Sequence, residues 1–138
     1  MPNYLLDTDH LSLLQRKDAR VGARLLTIPR IDRATAVISY EEQMRGWLAK
    51  LNRAQTPEQF CEAYALLCNM QRFYCGLRLV EFDLDCLTIF DRLRKVHRRT
   101  KTTDLRIAAT ALAHNATLVT RNTKDFIDIE NLRLENWA

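Results

Sequence analysis

Short apolar runs alternate with helix signals along this chain, and four of the junctions carry an acid: Asp7 in YLLDTDHL, Glu42 in AVISYEEQMRG, Asp104 in TKTTDLRIAATAL and Asp125 in LVTRNTKDF. Strands separated by helices run parallel, because each crossover returns the chain to the same edge of the sheet. All four carboxylates are then expected at the carboxyl edge of one sheet, where open α/β proteins bind their ligands.

The elements follow in order. Residues Asn3 to Asp7 read as a first strand, and a brief helix led by Thr8 or Asp9 carries Leu11, Leu13 and Leu14. Asp18 caps a second helix that Pro29 closes. Ala34 to Ser39 reads as a second strand, and Ser39-x-x-Glu42 fits a capping box opening a helix through Met44, Trp47 and Leu51. Thr56, Pro57 and Gln59 open another, with Phe60, Ala63, Tyr64, Leu67 and Met70 at helical spacing, so a helical hairpin is expected. Leu77 to Phe82 is the third strand, with Asp83 or Asp85 capping a helix through Phe90 and Leu93. Thr102 to Ala113 is the next helix, ended by Asn115 in a left-handed conformation. Thr117 to Thr120 is the fourth strand and Leu132 to Leu134 a short fifth.

A chain of 138 residues is expected to be one domain, residues 1–138, with 47% hydrophobic and 28% charged residues, ordinary for a globular protein. No 18-residue apolar stretch exists and the opening MPNYLLDTDH has no signal-peptide pattern, so no membrane association and a cytoplasmic location are expected. With three glycines there is no G-x-G-x-x-G and no phosphate-binding P-loop motif. Cys61, Cys68, Cys75 and Cys86 form no C-x-x-C pair and have no histidine at ligand spacing, which argues against zinc; Cys61 and Cys68, seven apart, are expected to be buried on one helix face. His10, His97 and His114 are too scattered for a shared site.

Each acid has a modest explanation as a helix cap or a charge at a positive helix end. Jointly, four at consecutive sheet-edge positions exceed what capping needs. Crowded carboxylates raise one another's pKa and destabilise the fold unless a cation neutralises them. Mg²⁺ and Mn²⁺ accept such oxygen ligands, with Asp7 and Asp104 the expected direct ligands. A bound ion of this kind supports phosphodiester hydrolysis. The formal charge is +4, and Arg92 to Lys101 holds six Lys or Arg and no acid just ahead of Asp104. Arg94, Lys95, Arg98, Arg99 and Lys101 thus form a basic rim able to attract nucleic acid to a pocket that alone would repel it.

LLDTD followed by LSLL, S-x-x-E-x-x-x-G at Ser39 to Gly46, TDLRIAATALAHNATLVTRNTKDF, and the ending LRLENWA together resemble the PIN-domain ribonucleases, specifically VapC-type toxins of bacterial toxin–antitoxin pairs. The resemblance implies an α/β fold, a three-layer α/β/α sandwich around a parallel sheet of four to five strands. It further implies Mg²⁺- or Mn²⁺-dependent endoribonuclease activity, a homodimer, and inhibition by a cognate antitoxin whose tail occupies the active-site groove. By position, Asp7, Glu42, Asp104 and Asp125 match the acidic set, Thr8 and Thr120 the polar residues supporting it, and Asn122 an alternative fourth position to Asp125. Asp9 stands where the family often carries Asn.

Two rivals remain open at this stage. A haloacid-dehalogenase-like phosphatase would use Asp7 as nucleophile and Asp9 as acid. A non-catalytic module would bind RNA or a partner without cutting. The hairpin residues Trp47, Leu48, Leu51, Phe60 and Tyr64 offer either a groove for an antitoxin helix or an ordinary helical core.

Overall fold

A computed structural model describes residues 2–138. Its five strands, β1 (Tyr4–Leu6), β2 (Arg33–Ala36), β3 (Arg78–Val80), β4 (Thr117–Val119) and β5 (Leu134–Glu135), form one sheet in the order β3-β2-β1-β4-β5. Every pairing is parallel, with Leu5 opposite both Ala34 and Leu118. β1 is therefore central, and Asp7 leaves its carboxyl end.

Side chains on a strand alternate between faces, and the core divides accordingly. Leu5, Ala34 and Leu118 join one cluster with Ile107, Ala108 and Ala111 of α6 (Thr102–Ala113) and Phe90 and Leu93 of α5 (Leu84–Val96). Leu6 and Val119 join the other with Leu11 of α1 (Thr8–Gln15), Val21 of α2 (Ala19–Leu26) and Trp137. The result is three layers with helices on both faces, as expected. The small residues of α6 let it lie close against the sheet, and Ile107, Ala108, Ala109 and Ala111 are fully buried. Among the described residues, no helix is long and apolar enough to cross a membrane.

Several local expectations hold. The Asp18 carboxylate accepts from the Arg20 and Val21 amides, Thr56 caps α4 (Pro57–Tyr74) by accepting from Gln59, and Asn115 has φ 52°. Others are corrected. β2 ends at Ala36, and α3 (Val37–Asn52) begins at once with Ala36 as its N-cap, so Ser39 lies inside the helix and is no capping box. The β-branched Val37 and Ile38 read as strand by propensity, but a β2 of four residues already satisfies the short β1, and Ile38 packs into the core from the helix. Cys61 and Cys68 are exposed. The seven-residue step on α4 is real, but its buried phase falls on Ala63 and Met70. β5 starts at Leu134 because it pairs with Leu118 and Val119.

Candidate active site

The carboxyl end of β1 delivers Asp7 to the start of α1, where it is 7% exposed. Its Oδ1 accepts from the Thr8 amide at 2.7 Å and its Oδ2 from the Thr120 hydroxyl at 2.9 Å. Thr120 follows β4, the strand beside β1, and its Oγ1 in turn accepts from the Asn122 amide at 3.1 Å. The Thr8 hydroxyl donates to Glu42 Oε2 at 2.7 Å, tying α1 to the second turn of α3. Starting α3 at Val37 is what aims Glu42 at Thr8.

Asp104 sits in the first turn of α6, which has no side-chain cap. Asp125 lies on α7 (Thr123–Phe126), its carboxylate held by the Asn122 side-chain amide. The two candidates for the fourth position are thus hydrogen-bonded to each other.

The electrostatics show how these groups gather. Burial, and then the charge of Asp9, push the Asp7 carboxyl from its ordinary 3.8 up to about 6. Asp104 is also raised, first by burial, then by the charges of Glu42, Asp125 and Asp9, with Lys101 opposing. The charges of Glu42, Asp125 and Asp9 thus all act on Asp104. Among the described residues, no Lys or Arg lies within ion-pair distance of Asp7, Glu42, Asp104 or Asp125. Nor do any three of these carboxylates bring ligand atoms within 4.8 Å of one another. The arrangement is an open cluster of hard oxygen donors. That suits Mg²⁺, which keeps several waters and takes one or two carboxylates.

Asp9 has a different place. Its Oδ2 accepts from the Arg121 amide at 3.2 Å, while its Oδ1 is 3.0 Å from His10 Nδ1. His10 is fully buried and its Nε2 accepts from the Trp137 amide, so the neutral ring carries its proton on Nδ1 and donates it to Asp9. This pair links α1, the β4–α7 loop and the chain end. Sequence reading missed it, since His10 and Trp137 are 127 positions apart. It also missed a polar knot beside Glu42, where Gln43 Oε1 accepts from Gln15 at 2.9 Å and from the Tyr74 hydroxyl at 2.6 Å. No local signal announces either.

The basic rim is exposed at the end of α5 and in the loop before α6. Lys101 is its member that acts on Asp104. Arg98 and Arg99 form no ion pair among the described residues, whereas Arg94 is engaged with Asp91 at 3.4 Å and stacks on Phe90. On the other side, a groove of about 480 Å³ runs from Thr8 and Glu42 past Gln43 and Trp47 to Lys50.

Comparison with known proteins agrees with this frame. Ribonuclease VapC2 of Rickettsia felis is 41% identical over an alignment of 69 positions that covers 47% of this chain and 52%, about half, of that relative's length. The structure of the VapBC2 complex of R. felis bound to a promoter DNA fragment matches with a TM-score of 0.73 and 28% identity, covering 98% of both chains. DNA-bound VapBC of Salmonella typhimurium matches with a TM-score of 0.80 and 20% identity over 100% of both chains, which bears on the fold alone. The family model of the PIN domain matches residues 4–132, nearly the whole chain, and with the parallel sheet and its acidic edge this establishes that the chain belongs to the PIN-domain family.

Proposed function

We propose that this chain is a metal-dependent endoribonuclease of the VapC kind, the toxin of a toxin–antitoxin pair, acting as one nuclease domain in the cytoplasm. The observation that carries this reading is the acidic cluster around Asp104, raised in pKa and lacking any cationic side-chain partner among the described residues. Asp7 and Asp104 would hold Mg²⁺ or Mn²⁺, with Glu42 and Asp125 completing the negative field. When bound, such an ion supplies a water of lowered pKa and neutralises charge on the phosphate.

The protein's own groups do the rest. Thr120 and the Thr8 amide orient both oxygens of Asp7, and the Thr8 hydroxyl orients Glu42. Asn122 anchors Asp125. Lys101, Arg98 and Arg99, with Arg94 and Lys95 behind them, would draw the RNA backbone over a pocket that otherwise repels it.

The phosphatase reading is not favoured. It needs the Asp9 carboxyl free to exchange a proton with substrate, yet both its oxygens are engaged, by the Arg121 amide and by His10. An antitoxin partner is supported by the structural relatives, solved as VapBC complexes, and by the exposed Leu48, Phe60 and Tyr64 on the α3–α4 hairpin. A homodimer remains part of the proposal.

The test is incubation of the purified chain with total RNA, with and without Mg²⁺ or Mn²⁺, followed by mapping of cut ends. Metal-dependent cleavage is expected, falling at least about 100-fold in Asp7→Asn and in Asp104→Asn with the fold retained by circular dichroism. Cleavage unchanged in either variant would remove that residue from the mechanism; no metal-dependent cleavage under any condition would leave the binding-module reading.

A further inference from the structure

We propose that Asp83, Cys86 and His114 form a second, structural metal site for a borderline-soft divalent ion such as Zn²⁺, at the far end of α6 from the acidic pocket. A carboxylate oxygen of Asp83, the Cys86 sulfur and an imidazole nitrogen of His114 all lie within 4.8 Å of one another. Zinc bonds of about 2.0 to 2.3 Å place tetrahedral ligands about 3.5 Å apart, a separation small side-chain rotations reach from here. One sulfur, one nitrogen and one oxygen with a fourth position open is a donor set suited to Zn²⁺ and poorly matched to Mg²⁺.

A second observation points the same way. Both ring nitrogens of His114 are shielded from solvent and have no hydrogen-bond partner, which is rare for buried polar atoms. A metal on one of them would satisfy the ring. Cys86 is fully buried, and its sulfur makes a weak 3.8 Å contact with the Glu81 carbonyl and interacts with the Asp83 carboxylate and Thr110.

The surroundings favour an ion electrostatically. His114 is the C-cap of α6, whose terminal carbonyls make that end negative. Asp83 is the N-cap of α5, its Oδ1 accepting from the Cys86 amide at 3.0 Å; burial and the neighbouring Asp83 carboxylate push the Cys86 thiol up, so a bound ion must displace its proton. With Cys86 as thiolate and Asp83 ionised, Zn²⁺ brings the local charge to zero. Asp83 and His114 open onto a cavity of about 250 Å³ that provides entry and room for a water as fourth ligand. Arg78 also lines that cavity, and Glu81 beside it offsets the charge.

The ion would staple the start of α5, just beyond edge strand β3, to the end of α6. His114 is ten residues from Asp104 on one helix, about 15 Å along its axis, so the two sites are separate. The ligands come from D-x-x-C at one helix start and a histidine closing the next helix, a pattern with neither the paired cysteines nor the close histidine spacing of a local zinc motif. This inference does not rest on nuclease activity.

Cobalt(II) is the test probe, because thiolate ligation gives it an intense near-ultraviolet charge-transfer band. Exposed Cys61, Cys68 and Cys75 are first replaced by Ser, leaving Cys86 the only thiol. Chelator-treated protein is titrated with Co²⁺ and then Zn²⁺, with thermal unfolding followed in parallel. Expected is a thiolate band saturating at one equivalent, displaced by Zn²⁺, retained in Asp104→Asn, lost in His114→Gln, and a higher unfolding midpoint with Zn²⁺. No thiolate band, a band that survives in His114→Gln, or one abolished by Asp104→Asn would overturn the site. Because the titration of the Cys86-only protein decides by itself, a variant that fails to fold does not rescue the proposal.

Discussion

Replacing Asp7 by Asn should stabilise the metal-free protein. Asp7 is buried and its carboxyl is lifted from 3.8 to about 6, so the folded chain holds this proton more tightly than the unfolded chain does. The contribution of Asp7 to wild-type stability is therefore greatest below pH 4, falls as pH rises through about 6, and levels off above that. The full interval is worth about 3 kcal/mol at neutral pH. Asn removes that term while keeping an acceptor for the Thr8 amide, but its NH₂ group turns the Thr120 hydroxyl from donor to acceptor, a loss of about 1 kcal/mol. A net gain of about 2 kcal/mol follows at pH 7, roughly 6 to 10 °C in Tm for a chain of this size. The assay is thermal and urea unfolding of both proteins between pH 4 and 8 in chelator, then with Mn²⁺. The advantage should vanish near pH 4 and shrink with Mn²⁺, which stabilises the form able to bind it. A variant no more stable than wild type at pH 7, or a gap independent of pH, would refute the reasoning.

Thr120→Val should cost about 1 to 3 kcal/mol in urea unfolding, since it orphans Asp7 Oδ2 and the Asn122 amide, and should move the pH dependence of stability upward by removing a bond that favours the ionised carboxylate. Trp137→Ala should cost about 3 to 5 kcal/mol, because the ring is buried against Tyr4 and His10 and under the Arg24 guanidinium. Replacing Arg98 and Arg99 by Gln should weaken RNA binding at low salt and make the slope of log affinity against log salt shallower by about 1.4, the value for two lost single-strand phosphate contacts, while leaving stability unchanged. An unaltered slope would mean the RNA passes elsewhere.

Local chemistry settled much of this protein before any folding. The caps at Asp18 and Thr56, Pro57 at a helix start, the left-handed Asn115 and the parallel order of the strands all depend on interactions within a turn or on crossover length, which neighbouring residues determine. The same order places Asp7 at a strand end, whereas Asp104 opens α6 directly after α5 and Glu42 lies in the second turn of α3. Tertiary structure alone decided which of these groups touch: Thr120 reaches Asp7 across 113 positions, Thr8 reaches Glu42 across 34, and His114 meets Asp83 and Cys86 at the other end of the helix. It also set where α3 begins, and which phase of α4 is buried, leaving Phe60 and Tyr64 outside and Ala63 and Met70 within. Propensity acts over one turn of chain, whereas contact between distant side chains depends on strand order and on how each helix is rotated against the sheet, quantities that only packing of the whole chain sets.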